Sequence, residues 1–176
     1  MEEWRLRRGA GHGRARLACT RADSRKSGER ASSSDGSGRE YRSVMAQPVK
    51  LHCPDYPGME DAATCLYELD NGGSAVMSFD FLRPAGAATH GDDRLRLLGE
   101  RGALEIRGEG TLELSTAAGT RSVPLETPAY GPFADFARGV LDSAHECAIS
   151  AAEALRVSEI ALKTREAADS GRRVRL

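Results

Sequence analysis

Thr89-His90-Gly91-Asp92-Asp93 places an imidazole and two carboxylates within a few residues of one another, between two segments of alternating apolar pattern. On a loop, His90 can donate to or accept from a sugar or cyclitol hydroxyl, and Asp92 can bind a pair of hydroxyls. Loops on a rigid sheet commonly carry such groups. The competing reading is a plain Gly-Asp-Asp turn with a solvated histidine. His145-Glu146-Cys147 suggests a thiol beside a base, but neighbours in sequence at a helix exit seldom meet the geometry of an activated nucleophile. No residue is assigned a catalytic role.

Metal and nucleotide signals are weak. Cys19, Cys53, Cys65 and Cys147 form no Cys-x-x-Cys pair, and His12, His52, His90 and His145 are equally scattered, so no metal is expected. Gly9-Ala10-Gly11-His12-Gly13-Arg14 approaches a dinucleotide turn, but Arg14 stands where the third glycine belongs and no apolar strand precedes it. Arg94, Arg96, Arg101 and Arg107 alternate with apolar residues, which puts them on the wet face of strands. Arg172, Arg173 and Arg175 read the same way. Asp70 and Asp80 read as turn and strand-surface residues, and Tyr67, Phe79 and Phe81 as core or interface.

The elements that must hold these groups begin after a basic arm. Residues 1–42 carry a net charge of +5 and residues 43–176 a net of −6, within a total of −1 over 176 residues. Residues 1–47 are rich in Arg, Gly and Ser and are expected to form a disordered arm, because they hold too little apolar surface to offset the entropy of ordering. A nucleic-acid role for the arm is disfavoured by its lack of interleaved aromatics. Residues 48–176 are expected to form the domain. No apolar run of membrane-spanning length is present, and the few cysteines point to a soluble, cytoplasmic protein.

Within the domain, Val49 to His52 suggests an edge strand, and Ala62–Leu69 and Ser74–Arg83 flank Asn71-Gly72, a strong hairpin signal that predicts a type I′ turn. Short alternating segments follow around Leu95, Leu104, Leu112 and Val123. Pro132 opens a helix predicted to bury Phe133, Phe136, Ala137 and Val140 and to end near Ser143. Ser150 and Glu153 have capping-box spacing and open a second helix over Ala151 to Asp169. Its buried stripe is predicted to be Ala154, Val157, Ile160, Ala161, Thr164 and Ala168, with Arg156, Glu159, Lys163 and Glu166 on the wet side. Ser170-Gly171 stops it, and Arg173-Val174-Arg175-Leu176 ends as a strand. The fold class is therefore α+β: a mostly antiparallel open sheet with helices on one face, preceded by the arm.

The order of Tyr67-Glu68-Leu69-Asp70-Asn71-Gly72-Gly73-Ser74-Ala75, the segment Thr89 to Ile106, Glu153-Ala154-Leu155-Arg156-Val157 and Asp169-Ser170-Gly171-Arg172-Arg173-Val174 resembles the C-terminal domain of the Gfo/Idh/MocA family of NAD(P)-dependent oxidoreductases. The likeness covers about residues 62 to 176. Full members resemble one another in an N-terminal Rossmann domain, a Glu-Lys-Pro segment and a catalytic histidine, none of which is found in this sequence. The resemblance implies a substrate-binding and oligomerisation domain acting on a sugar, cyclitol or polyol, inactive alone. NAD or NADP is implied for the family, with no cofactor bound by this chain alone. It also implies a homo-oligomer formed through the uncovered sheet face. The alternative is a non-catalytic interaction module that pairs through that face.

Overall fold

The computed structural model describes residues 5–8, 15–18, 39–51, 58–82, 84–88, 93–107, 111–125 and 128–176. Strands β1 (Arg5–Arg8) and β2 (Ala15–Ala18) pair antiparallel. The remaining elements belong to two compact units. One comprises Gly38–Ala88 with Ala151–Leu176, and the other holds Thr89–Ser150.

The first unit is a four-stranded antiparallel sheet in the order β10-β3-β4-β5, built from β3 (Tyr41–Val49), β4 (Ala62–Leu69), β5 (Ser74–Asp80) and β10 (Val174–Arg175), with helix α2 (Ala151–Ser170) against one face. Strand β3 begins at Tyr41, ahead of the boundary expected at Pro48, so the sheet takes in residues assigned from sequence to the arm. Of the strand expected over Val49 to His52, Val49 is the last residue of β3, Lys50 and Leu51 lie beyond it, and His52 is outside the described residues. Tyr41 joins the core with Val44, Cys65 and Tyr67, and together they meet Ile160, Ala167 and Val174. The Tyr41 and Tyr67 rings pack with centroids 4.9 Å apart at an interplanar angle of 52°. A register shift between Tyr41 and Ser43 lets both the tyrosine and Val44 face inward.

The β4–β5 hairpin forms where expected, with a different turn. Gly72 N–H donates to Leu69 O at 3.1 Å and Leu69 N–H to Gly73 O at 2.9 Å, so Asp70 and Asn71 occupy the centre and Gly72, at φ +80°, closes a three-residue loop. A left-handed residue in third position is the glycine-bulge alternative to the two-residue type I′ turn. Asn71 Oδ1 adds an acceptor for Gly73 N–H at 2.9 Å, which fixes the side chain inside the loop.

Helix α2 begins directly after Ser150, as the cap spacing predicts, and Gly171 at φ +64° closes its end by donating to Ala167 O. Its buried stripe is narrower than predicted. Ile160 and Ala167 are buried, Val157, Thr164 and Ala168 are half-buried, and Ala154 and Ala161 are exposed.

The second unit contains β6 (Arg94–Gly99), β7 (Gly102–Arg107), β8 (Thr111–Thr116) and β9 (Gly119–Ser122) as an antiparallel meander, followed by α1 (Pro132–Leu141). Strands β3 to β10 thus divide into two sheets rather than one, while the α+β, antiparallel class holds. Leu104, Ile106 and Leu112 are buried, with Leu95, Leu97, Leu114, Val123 and Leu125 packed against them. Arg94, Arg96, Glu105, Arg107 and Glu113 fall on the opposite face, where Arg107 Nε donates to Glu105 Oε1 at 2.8 Å. That hydrogen bond, helped by the charges of Arg107, Arg96 and Arg94, holds the Glu105 carboxyl below its usual range. The α1 prediction fails in its packing: Phe133, Phe136 and Val140 are 82%, 62% and 68% exposed. Amphipathic spacing marks a face that can be buried; it does not supply the surface that buries it.

Candidate functional site

Among the described residues, two places bring polar and reactive groups together. In the first unit, a groove of about 240 Å³ runs between α2 and the β4–β5 edge. Pro48, Ala63, Phe79 and Phe81 supply carbon surface, and Asp61 and Arg165 supply charge. The sheet is wider than the helix that covers it, so Phe79 and Phe81 remain 50% and 72% exposed on the β5 side. Of the residues assigned from sequence to core or interface, Tyr67 is core, and Phe79 and Phe81 are not.

Asp61 is fully buried at the point where β3 and β4 meet. Both carboxylate oxygens accept from Leu51 N–H, at 2.8 and 2.9 Å, and the Asp61 backbone links Val49 O to Phe81 N–H. An ionised carboxylate tolerates burial when its lone pairs are occupied in this way. Its role here is to pin strand ends. Arg165 is committed to Asp169, with Nε at 2.9 and 3.0 Å from the two carboxylate oxygens.

Cys65 and Tyr67 face the helix from β4. Burial pushes the Cys65 thiol up, as it does the Tyr67 phenol. Thr164 Oγ1 donates to Ile160 O at 2.7 Å, so its proton is spent, and the 3.0 Å contact with Tyr67 is the phenol donating to the threonine oxygen. Cys65 is thus held as a thiol, without the electropositive setting that would make it a nucleophile.

The second place lies at the exit of α1. Asp142 N–H donates to Arg138 O at 2.8 Å, His145 N–H to Asp142 O at 3.0 Å, and Ala144 N–H to Asp142 Oδ1 at 2.9 Å, so the chain turns back over the helix it has just left. His145 Nε2 then lies 2.8 Å from Asp135 Oδ1, Cys147 Sγ 3.5 Å from Asp135 O, and Ala148 N–H donates to Asp135 Oδ2 at 2.7 Å. The Tyr130 ring meets His145 edge-on with centroids 6.1 Å apart and carries the Arg138 guanidinium 4.1 Å above it. His145 and Cys147, neighbours in sequence at a helix exit, are here brought to a common partner. That partner is Asp135, in the first turn of α1, and its distance in sequence hid it.

His90 and Asp92, the substrate contacts expected from sequence, lie outside the described residues, as does the Gly9–Arg14 stretch. Asp70 sits in the hairpin loop, and Asp80 ends β5 by accepting from Leu82 N–H at 3.0 Å. Arg173 approaches Glu68 at 3.5 Å on the surface. Arg156, assigned to the wet side of α2, is instead a half-buried clamp on Glu40 and Tyr41 O. No helix among the described residues is long and apolar enough to cross a membrane.

The architecture recurs in solved oxidoreductases. A presumed oxidoreductase from Thermotoga maritima is 36% identical, with a TM-score of 0.75 over 81% of this chain and 42% of its own. Aldose-aldose oxidoreductase from Caulobacter crescentus, solved with glycerol, matches 80% of this chain and 43% of its own at 16% identity and a TM-score of 0.64. An inositol dehydrogenase homologue from Azotobacter vinelandii, solved with NAD+, matches 78% and 43% at 14% identity and a TM-score of 0.61. The structural neighbours of this chain are oxidoreductases of the Gfo/Idh/MocA type. The likeness to that family's C-terminal domain holds at the level of fold, and the chain spans less than half the length of these neighbours. No family model and no curated protein matches the sequence.

Proposed function

We propose that the chain is the substrate-binding and oligomerisation domain of a Gfo/Idh/MocA-type oxidoreductase that acts on a sugar, cyclitol or polyol, and that it is inactive by itself. The reading is supported above all by the Thermotoga likeness, where 36% identity accompanies a common fold over 81% of the chain. His90 and Asp92 are the hydroxyl-binding residues in this reading. A cytoplasmic setting goes with it, one in which Cys65 and Cys147 stay free.

Nicotinamide chemistry is hydride transfer, with the cofactor's reactive carbon held against the substrate carbon. The described residues do not fit such a cofactor. Both four-stranded sheets are antiparallel, α1 follows Gly131-Pro132 and α2 follows Ser150, so no parallel strand feeds a glycine turn into a helix N-terminus that would cradle a pyrophosphate. What the described residues contribute in this reading is a binding surface. The test is an assay of the purified chain with polyols and either nicotinamide, together with calorimetry. No turnover and no tight nicotinamide association are expected, with weak polyol binding lost in His90→Ala or Asp92→Ala; NAD-linked turnover would overturn the reading.

A second reading, a non-catalytic module that pairs through the open sheet face, is favoured by one observation. Met45, Leu66 and Val76 stand in one cross-strand row on the face of the sheet away from α2, and are 44%, 44% and 71% exposed. A contiguous apolar row across three strands marks a surface that gains by being covered.

A further inference from the structure

We propose that Asp135, His145 and Cys147 form a binding site for a zinc ion. One donor atom from each lies within 4.8 Å of the other two. Tetrahedral zinc, with bonds of about 2.0–2.3 Å to nitrogen, oxygen and sulfur, requires donors separated by roughly 3.3–3.6 Å. The pocket needs only a small adjustment: the 2.8 Å contact between His145 Nε2 and Asp135 Oδ1 opens by about half an ångström as the ion replaces the bridging proton, and the Cys147 sulfur closes in. On binding, the thiol proton leaves to solvent, Nε2 presents its lone pair, and the ring proton resides on Nδ1.

Four further features suit the ion. Ala148 N–H donates to Asp135 Oδ2, so the outer carboxylate oxygen is already oriented while Oδ1 points to the site. Gly139, one turn along α1 from Asp135, is the reason the sulfur can lie there: a Cβ built at that position would collide with Cys147 Sγ. The donor set of thiolate, imidazole and carboxylate selects zinc over magnesium or calcium, which prefer oxygen alone. His145 and Asp135 retain 20% and 17% side-chain exposure, enough for water to complete the shell. The ion would clasp the returning loop to α1. Sequence spacing argued against a metal because it looks for ligand pairs, and this site takes one ligand from a helix and two from the loop that returns to it.

The experiment is titration of the full, untagged chain with Co²⁺ and with Zn²⁺ against a chromogenic chelator. One equivalent should bind, Co²⁺ should give a thiolate-to-metal charge-transfer band in the near ultraviolet, and Zn²⁺ should raise Tm by a few degrees. Cys147→Ser should abolish the band, His145→Gln should weaken zinc roughly tenfold or more, and Gly139→Ala should do so while leaving every ligand in place. Cys65→Ser should retain the band. The proposal is overturned if no stoichiometric binding occurs, or if the band survives Cys147→Ser. Far-ultraviolet circular dichroism of the Cys147→Ser and His145→Gln variants separates loss of ligand from loss of fold.

Discussion

Arg156 on α2 and Glu40 at the entrance to β3 form an ion pair across 116 positions of sequence, with Nε and Nη2 lying 2.7 and 2.6 Å from one carboxylate oxygen. The same guanidinium reaches Tyr41 O at 3.4 Å and Glu159 Oε2 at 2.7 Å, while Asp70 N–H donates to Glu40 O at 2.9 Å. Helix, strand and hairpin loop are therefore joined at one corner. Arg156→Met keeps the apolar stem and removes the fork. It should lower stability by about 1–2 kcal/mol, read as a lower urea midpoint with an unchanged slope. Glu159→Ala, which touches only the exposed side, should cost less than about 0.5 kcal/mol.

The core of the first unit is tested by Ile160→Ala, expected to cost about 2–4 kcal/mol, because the side chain is buried between α2 and the sheet. Tyr67→Phe should cost about 1 kcal/mol, since it removes the hydrogen bond to Thr164, which keeps its own bond to Ile160 O. A Tyr67→Phe loss as large as that of Ile160→Ala would mean that the hydroxyl supports more than this contact.

Alkaline sensitivity follows from Cys65. Burial raises its thiol in the folded state, so the associated stability is fully present below the ordinary thiol range and declines as pH rises past about 9 toward the folded value. Tyr67 is raised for the same principal reason and adds to the loss at higher pH. Chemical denaturation between pH 7 and 10.5 (about the span available before chain damage) should show this decline, and Cys65→Ala should flatten its first part.

Gly102 opens β7 at φ +157°, and a Cβ there would overlap the carbonyl oxygen of Ser115 on β8. Gly102→Ala should destabilise the second unit by roughly 2–3 kcal/mol, because the obstruction is backbone and cannot rotate away. Gly119→Ala meets open space at φ +118° and pays only the conformational cost, about 1 kcal/mol. Hydrogen exchange of the β7 and β8 amides reports the difference.

If the open face pairs copies of the chain, Leu66→Glu should shift light-scattering mass toward the monomer at unchanged circular dichroism. The substitution sits at the centre of the Met45–Leu66–Val76 row and points away from α2. An unchanged mass would remove that face from consideration.

Local signals read well from sequence. The turn residues at 71–72, Pro132 and Ser150 each punctuate the chain through the φ they permit or the amide they satisfy, and each sits at an element boundary in the structure. Long-range outcomes did not read. Nothing in the alternation of Leu95, Leu104 and Leu112 distinguishes a second sheet from a continuation of the first, because period two reports a face and not its partner. Tyr41 was lost to the arm because the polar residues before it masked the start of β3. Arg156 and Asp135 were missed for a common reason: their partners are distant or follow a reversal of the chain.

The first unit is interrupted in sequence by the second. Strands β3 to β5 are complete by Asp80, yet Ile160, Ala167 and Val174, which cover Val44, Cys65 and Tyr67, come only after residue 150. At synthesis rates of about 5–20 residues per second, the ribosome delays the covering helix by roughly 4–16 s. For that interval the nascent meander presents an apolar surface to its surroundings, within reach of holdase chaperones.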